Sequence, residues 1–109
     1  MAVVTITKGQ IPLNGSVTIP DAVACGDDGA VVAFDAPDQK IMLIIGTATA
    51  TIKKGNGLQG VADLTVTYVS NKKQAVVLES GKYMNMFGTH KGKVLITGAT
   101  ATVQAVVLP

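Results

Sequence analysis

The sequence predicts an all-β, single-domain antiparallel β-sandwich over residues 1–109, immunoglobulin-like or jelly-roll-like, with about eight or nine short strands and little or no helix. Three observations carry this expectation. The 48% hydrophobic content is dominated by Val, Ile, Ala and Thr, with no Trp and only 4% aromatic residues. Small and β-branched side chains of this kind suit pleated, half-buried surfaces better than helix faces. Turn residues recur about every eight to twelve positions, the rhythm of a sandwich or barrel. No segment shows a 3.6-residue apolar period bounded by caps, so at most one turn of helix is expected, within residues 21–25. A chain of 109 residues makes one ordinary domain, and its apolar content set against 15% charged residues excludes a disordered chain.

Each element follows from local pattern. Residues 3–7 alternate into a short strand. The turn Gly9-Gln10-Ile11-Pro12-Leu13-Asn14-Gly15 carries an Asn-Gly pair that favours a tight hairpin, returning as a strand over residues 16–19. Residues 20–29 are polar and end in Gly26-Asp27-Asp28-Gly29, a surface loop. Asp27 and Asp28 lack the spaced oxygen ligands and distal Glu of a calcium loop. Residues 30–34 form a strand. The run Lys40-Ile41-Met42-Leu43-Ile44-Ile45 is apolar after its lysine and predicts a strand buried on both faces or an end-to-end core strand, near the centre of the fold. In residues 47–52 the threonines fall on one face and two alanines and an isoleucine on the other. Residues 64–69 and 74–79 are strands separated by the turn Ser70-Asn71-Lys72-Lys73. After Ser80-Gly81, residues 82–87 read as a bent strand. A loop over 88–92, a strand over 93–97 and a closing strand over 101–108 complete the chain.

One motif competes with this picture. Gly55-Asn56-Gly57-Leu58-Gln59-Gly60 satisfies the G-x-G-x-x-G pattern of dinucleotide-binding loops and follows a predicted strand. Such a loop needs a helix next, whose N-terminal amides and dipole hold the pyrophosphate. Val61-Ala62-Asp63-Leu64-Thr65-Val66-Thr67 continues instead as β-type sequence, and no Lys-Ser/Thr pair makes it a phosphate loop. The glycines therefore read as a wide β-connection that uses positive φ.

Composition narrows the chemistry further. The net charge of +2 comes from nine lysines and no arginine, and arginine supplies the bidentate fork for phosphate and base-edge recognition. No nucleic-acid partner is expected. Lys53-Lys54 and Lys72-Lys73 read as solvated turn and edge residues, where lysine discourages edge-to-edge aggregation. Cys25 is the single cysteine and His90 the single histidine, so there is no disulfide within the chain and no Cys/His cluster for zinc. Asp63 and Glu79 are not held at a fixed spacing by anything in the sequence, and no serine sits in a nucleophile elbow. The sequence predicts no catalytic activity, cofactor, metal or small-molecule substrate. The first eight residues lack the basic and apolar regions of a signal peptide, and no apolar run approaches the roughly twenty residues that span a bilayer. Synthesis in a cytoplasm without membrane attachment is expected.

Four stretches carry a resemblance: residues 52–64 around the glycine-rich turn, Val77-Leu78-Glu79-Ser80-Gly81-Lys82-Tyr83, Gly92-Lys93-Val94-Leu95-Ile96-Thr97-Gly98, and the terminal Val106-Val107-Leu108-Pro109. Together they resemble the head decoration or cement proteins of tailed bacteriophages and prophages, over about the last two-thirds of the chain. The N-terminal third, with Pro12, Pro20 and the acidic loop, has no counterpart in it. The resemblance implies a location on the capsid exterior of a virion, synthesis in a bacterial host cytoplasm, and the phage major capsid protein as partner. Such proteins act as monomers or as homo-oligomers, commonly trimers, at symmetry positions of the shell, where many copies turn modest contacts into strong retention. A lightly basic chain also suits docking on an acidic protein surface.

The contact surface is sought among residues that fit the core pattern poorly. Met84, Met86 and Phe87, flanked by Tyr83 and His90, concentrate adaptable apolar side chains. They serve either as an interface or as the closure of one end of the sandwich. The segment from Ala2 to Lys8, with Val3 and Val4, is the second candidate, as a terminal strand that adds to a neighbour's sheet or as an ordinary edge strand. The competing functional class is a small carbohydrate-binding or adhesion module of a phage tail or cell surface. Four aromatics without Trp supply few of the stacking platforms that sugars require.

Overall fold

The computed structural model of the chain describes residues 3–35, 39–56, 62–79 and 83–109. Among these, ten strands build two sheets. They are β1 (Val4–Thr5), β2 (Lys8–Gln10), β3 (Val23–Ala24), β4 (Ala30–Ala33), β5 (Lys40–Gly46), β6 (Ala50–Ile52), β7 (Leu64–Val66), β8 (Gln74–Glu79), β9 (Lys93–Thr97) and β10 (Thr102–Val107). The first sheet has the order β1-β4-β9-β6-β7. The second runs β2-β10-β5-β8, with β3 pairing the opening residues of β10.

Alternation along the strands builds the core between the sheets. The first sheet contributes Ala30, Val32, Ala50, Ile52, Val94 and Ile96, and the second contributes Ile41, Leu43, Ile45, Leu78, Val103 and Ala105. Each of these is at most 1% exposed, and burying a Val, Leu or Ile side chain stabilises by roughly 1.5–3 kcal/mol. Ile6, Cys25 and Phe34 close the edges of the same cluster.

The sheets are mixed rather than purely antiparallel. β1 pairs parallel with β4 (Val4 with Ala30), and β2 pairs parallel with β10 (Gly9 with Val106). Neither pair is joined by a hairpin, so nothing imposes an antiparallel direction on it. Of the expected strand over residues 3–7 only Val4–Thr5 is strand, and β2 follows in the other sheet at Lys8–Gln10, overlapping the start of the expected turn. Ile6 donates its N–H to Val31 O at 2.9 Å and turns its side chain into the core, and by Lys8 the chain has crossed to β10. Lys8 ties the crossing back, with Nζ 2.7 Å from both Ala33 O and Asp35 Oδ2.

Three local expectations fail for identifiable reasons. Asn14 does adopt positive φ and Gly15 N–H bonds Pro12 O, but no strand follows over 16–19. Val17 and Pro20 pack instead against Gly9, and Pro20 O accepts from Gln104 Nε2, so this segment lies against β2 and β10. Residues 21–25 contain β3 rather than a helical turn, because Cys25 N–H bonds Ala101 O beside β10. In residues 83–87 there is no bent strand: Asn85 makes a single bridge to Lys91 and the chain folds back on itself.

Candidate interaction surface

The glycine-rich turn and the methionine-rich segment meet. Gly55 lies so close to the backbone of Tyr83 and Met84 that a Cβ at this position would collide with Met84 O. Glycine at 55 is thus required by close approach and not by the positive φ expected of it. Its neighbour Asn56 then holds the loop: Oδ1 accepts the N–H of Met86 at 2.6 Å and of Phe87 at 3.3 Å, and Nδ2 donates to Phe87 O at 2.8 Å. From the other side, Asn85 N–H and Nδ2 both donate to Lys93 O, and Gly92 N–H donates to Asn85 O. Two asparagines therefore fix the backbone of a loop whose tip is apolar.

The predicted contact residues divide at this loop. Met86 and Phe87 are 51% and 63% exposed, whereas Tyr83 and Met84 are half-buried and pack against the core. His90 is half-buried, and its carbonyl accepts from Lys93 N–H. Val3 and Val4 lie at the start of the first sheet; Val4 packs on the core and donates its N–H to Gly29 O at 3.1 Å. β1 is the edge strand of the first sheet.

A second surface was not foreseen. The apolar run of β5 is buried on one face only: Ile41, Leu43 and Ile45 enter the core, while Met42 and Ile44 are half-exposed on the outer face. Across the β5–β8 ladder Met42 stands opposite Val77, Ile44 opposite Ala75, and Lys40 opposite Glu79. Val77 is 52% exposed, so an apolar stripe runs along the outside of this sheet beside its edge strand. The continuous apolarity of residues 41–45 was the available signal, and a half-covered outer face produces the same pattern as two-sided burial.

Asp63 braces the neck of the β6–β7 connection: Oδ2 lies 2.9 Å from Lys53 Nζ and Oδ1 accepts Lys54 N–H at 2.8 Å. The backbone bond from Lys54 and then the Lys53 ammonium hold its carboxyl below the usual carboxylate range. β6 and β7 pair antiparallel, Ile52 with Leu64, as a β-connection requires; Gly57 to Gly60 lie outside the described residues. Glu79 ends β8 in the opposite sheet from Asp63. Cys25 is fully buried and burial pushes its thiol up, away from the thiolate form that reacts. Among the described residues, no group of three or more His, Cys, Asp or Glu converges to hold a metal. Comparisons of the chain with protein-family models, with curated proteins and with solved structures found no match.

Proposed function

We propose that this chain is a structural protein of a tailed-phage virion that docks on the outer surface of the capsid, through the major capsid protein, and strengthens the shell. The observation that carries this reading is the exposed Met86-Phe87 tip on a backbone that Asn56 holds in place. An apolar anchor already fixed in position loses little conformational freedom on docking, so more of its burial appears as affinity. Multiple copies on a symmetric shell then need only modest affinity each. The likeness of residues 52–64 and 77–83 to head decoration proteins supports the same reading, and Gly55, Asn56 and Tyr83 from these stretches meet at the clamp.

Sedimentation with undecorated capsids tests it. The protein is expected to pellet with the shells and saturate, and Phe87→Ser is expected to weaken binding without unfolding the chain. Protein that stays in the supernatant at micromolar concentration overturns the proposal. An exposed ring is also what a glycan-binding module displays; reproducible glycan-array hits that vanish in Phe87→Ala would put that reading in its place.

A further inference from the structure

Among the described residues, β8 is an edge strand of the second sheet. Leu108 N–H donates to Lys40 O, which sets the phase of the β10–β5 ladder. Residues 40, 42, 44 and 46 of β5 thus turn their backbone groups toward β10, and Ile41, Leu43 and Ile45 turn theirs toward β8. On β8, Gln74, Val76 and Leu78 answer them, and the N–H and C=O of Ala75, Val77 and Glu79 face outward. Among the described residues, nothing bonds these outward groups. β8 is six residues long and has neither a proline nor an interior charge to discourage pairing.

We infer that two copies of this chain associate through antiparallel β8–β8 pairing, with the two-fold axis passing beside Val76. Charge and side-chain character select this register. The odd-numbered side chains of β8 lie on the outer face, where Lys73 stretches over Gly46 toward Gln104. With Val76 opposite Val76, Ala75 faces Val77 of the second copy, and Lys73 faces Glu79 of the second copy at both ends of the ladder. Glu79 then lies between Lys40 of its own chain and Lys73 of the other. Moving the register by two residues in either direction loses the facing Lys73 and Glu79. The pairing satisfies the outward backbone groups and extends the Met42, Ile44 and Val77 stripe across both copies, as edge-to-edge addition does elsewhere. It gives a two-fold dimer rather than a three-fold ring, and it holds whether or not the chain binds a shell.

Sedimentation velocity over a concentration series tests this. The wild-type chain is expected to dimerise reversibly. A chain that stays monomeric up to about 1 mM, where the association is worth only about −4 kcal/mol, overturns the inference, as does a trimer. Val77→Pro removes an outward N–H that the chain's own sheet does not use and is expected to leave a folded monomer. Lys73→Glu and Glu79→Lys are each expected to weaken the dimer about ten-fold or more, and the double variant to recover most of that loss by swapping the two ends. A double variant as weak as the two single losses combined overturns the register.

Discussion

Asn56 Oδ1 accepts the backbone N–H of Met86 at 2.6 Å, joining a turn after β6 to a loop thirty residues further along the chain. One side chain thereby holds both sides of Phe87's peptide environment, since Phe87 also donates to Oδ1 and accepts from Nδ2. The exposed tip is ordered by hydrogen bonds rather than by burial.

That arrangement predicts graded effects at position 56. Asn56→Ala removes all of these bonds and is expected to destabilise the chain by about 1–2 kcal/mol, the scale of a few partly exposed hydrogen bonds. Asn56→Asp keeps the acceptor for Met86 and Phe87 but loses the donor to Phe87 O, so it should fall between the two. Amide exchange reports on this directly: the Met86 and Phe87 amides should exchange markedly faster in Asn56→Ala. Unchanged exchange at both amides would show that the clamp does not order the loop.

Gly55 gives a sharper test, because space and backbone angle can be separated. A Cβ at Gly55 meets Met84 O, whereas a Cβ at Gly88, which has φ of +94°, meets nothing within 4 Å. Gly88→Ala carries conformational strain alone, about 1–2 kcal/mol. Gly55→Ala must push two backbones apart and is expected to cost about 2–3 kcal/mol and to disturb the Asn56 bonds as well. Urea unfolding of the two variants side by side decides it, and equal midpoints would contradict the close approach.

The legible parts of the fold were those governed by local pattern. Strands such as residues 93–97 and 102–107 are short, largely apolar runs between turn residues, and the structure keeps them with small shifts at their ends. What sequence could not reveal was partnering at a distance. Nothing near Ile6 announces that the chain changes sheets there, since the cause is Val31 and Ala105 waiting in two different sheets. The strand expected over 16–19 has adequate β propensity, yet Gly9 and Gln104 draw Val17 and Pro20 against β2 and β10 instead. At the candidate surface, the unusual density of Met and aromatic residues singled out Met86 and Phe87. Separating them from Tyr83 and Met84 required knowing which way the loop folds. The importance of Asn56 was hidden because its partners lie about thirty residues away.

The two faces of β5 should respond differently to substitution. Leu43→Ala opens a cavity between the sheets and is expected to cost about 2–5 kcal/mol. Ile44→Thr keeps the β-branched shape on the half-exposed outer face and is expected to cost under about 1 kcal/mol. Chemical denaturation at low protein concentration measures both, and comparable losses would mean that the outer face is covered within the single chain.

Asp63 sets an acid limit on the β6–β7 connection. Its carboxyl is held below the usual range in the folded chain by the Lys54 amide first and the Lys53 ammonium second. A group whose folded pKa is depressed binds its proton more readily in the unfolded chain, so its contribution is complete above the unfolded value of about 3.9. That contribution is lost as pH falls through the folded value. Asp63→Asn should therefore be less stable than the wild type at neutral pH, with the gap closing below about pH 4 as the wild-type carboxyl takes up its proton. The site is exposed, so added salt should narrow the gap at neutral pH by screening the Lys53 pair. Urea midpoints of both proteins across an acid-to-neutral series measure this difference. A gap that stays constant from neutral to strongly acid pH would place the effect of the substitution in packing rather than in the charge of Asp63.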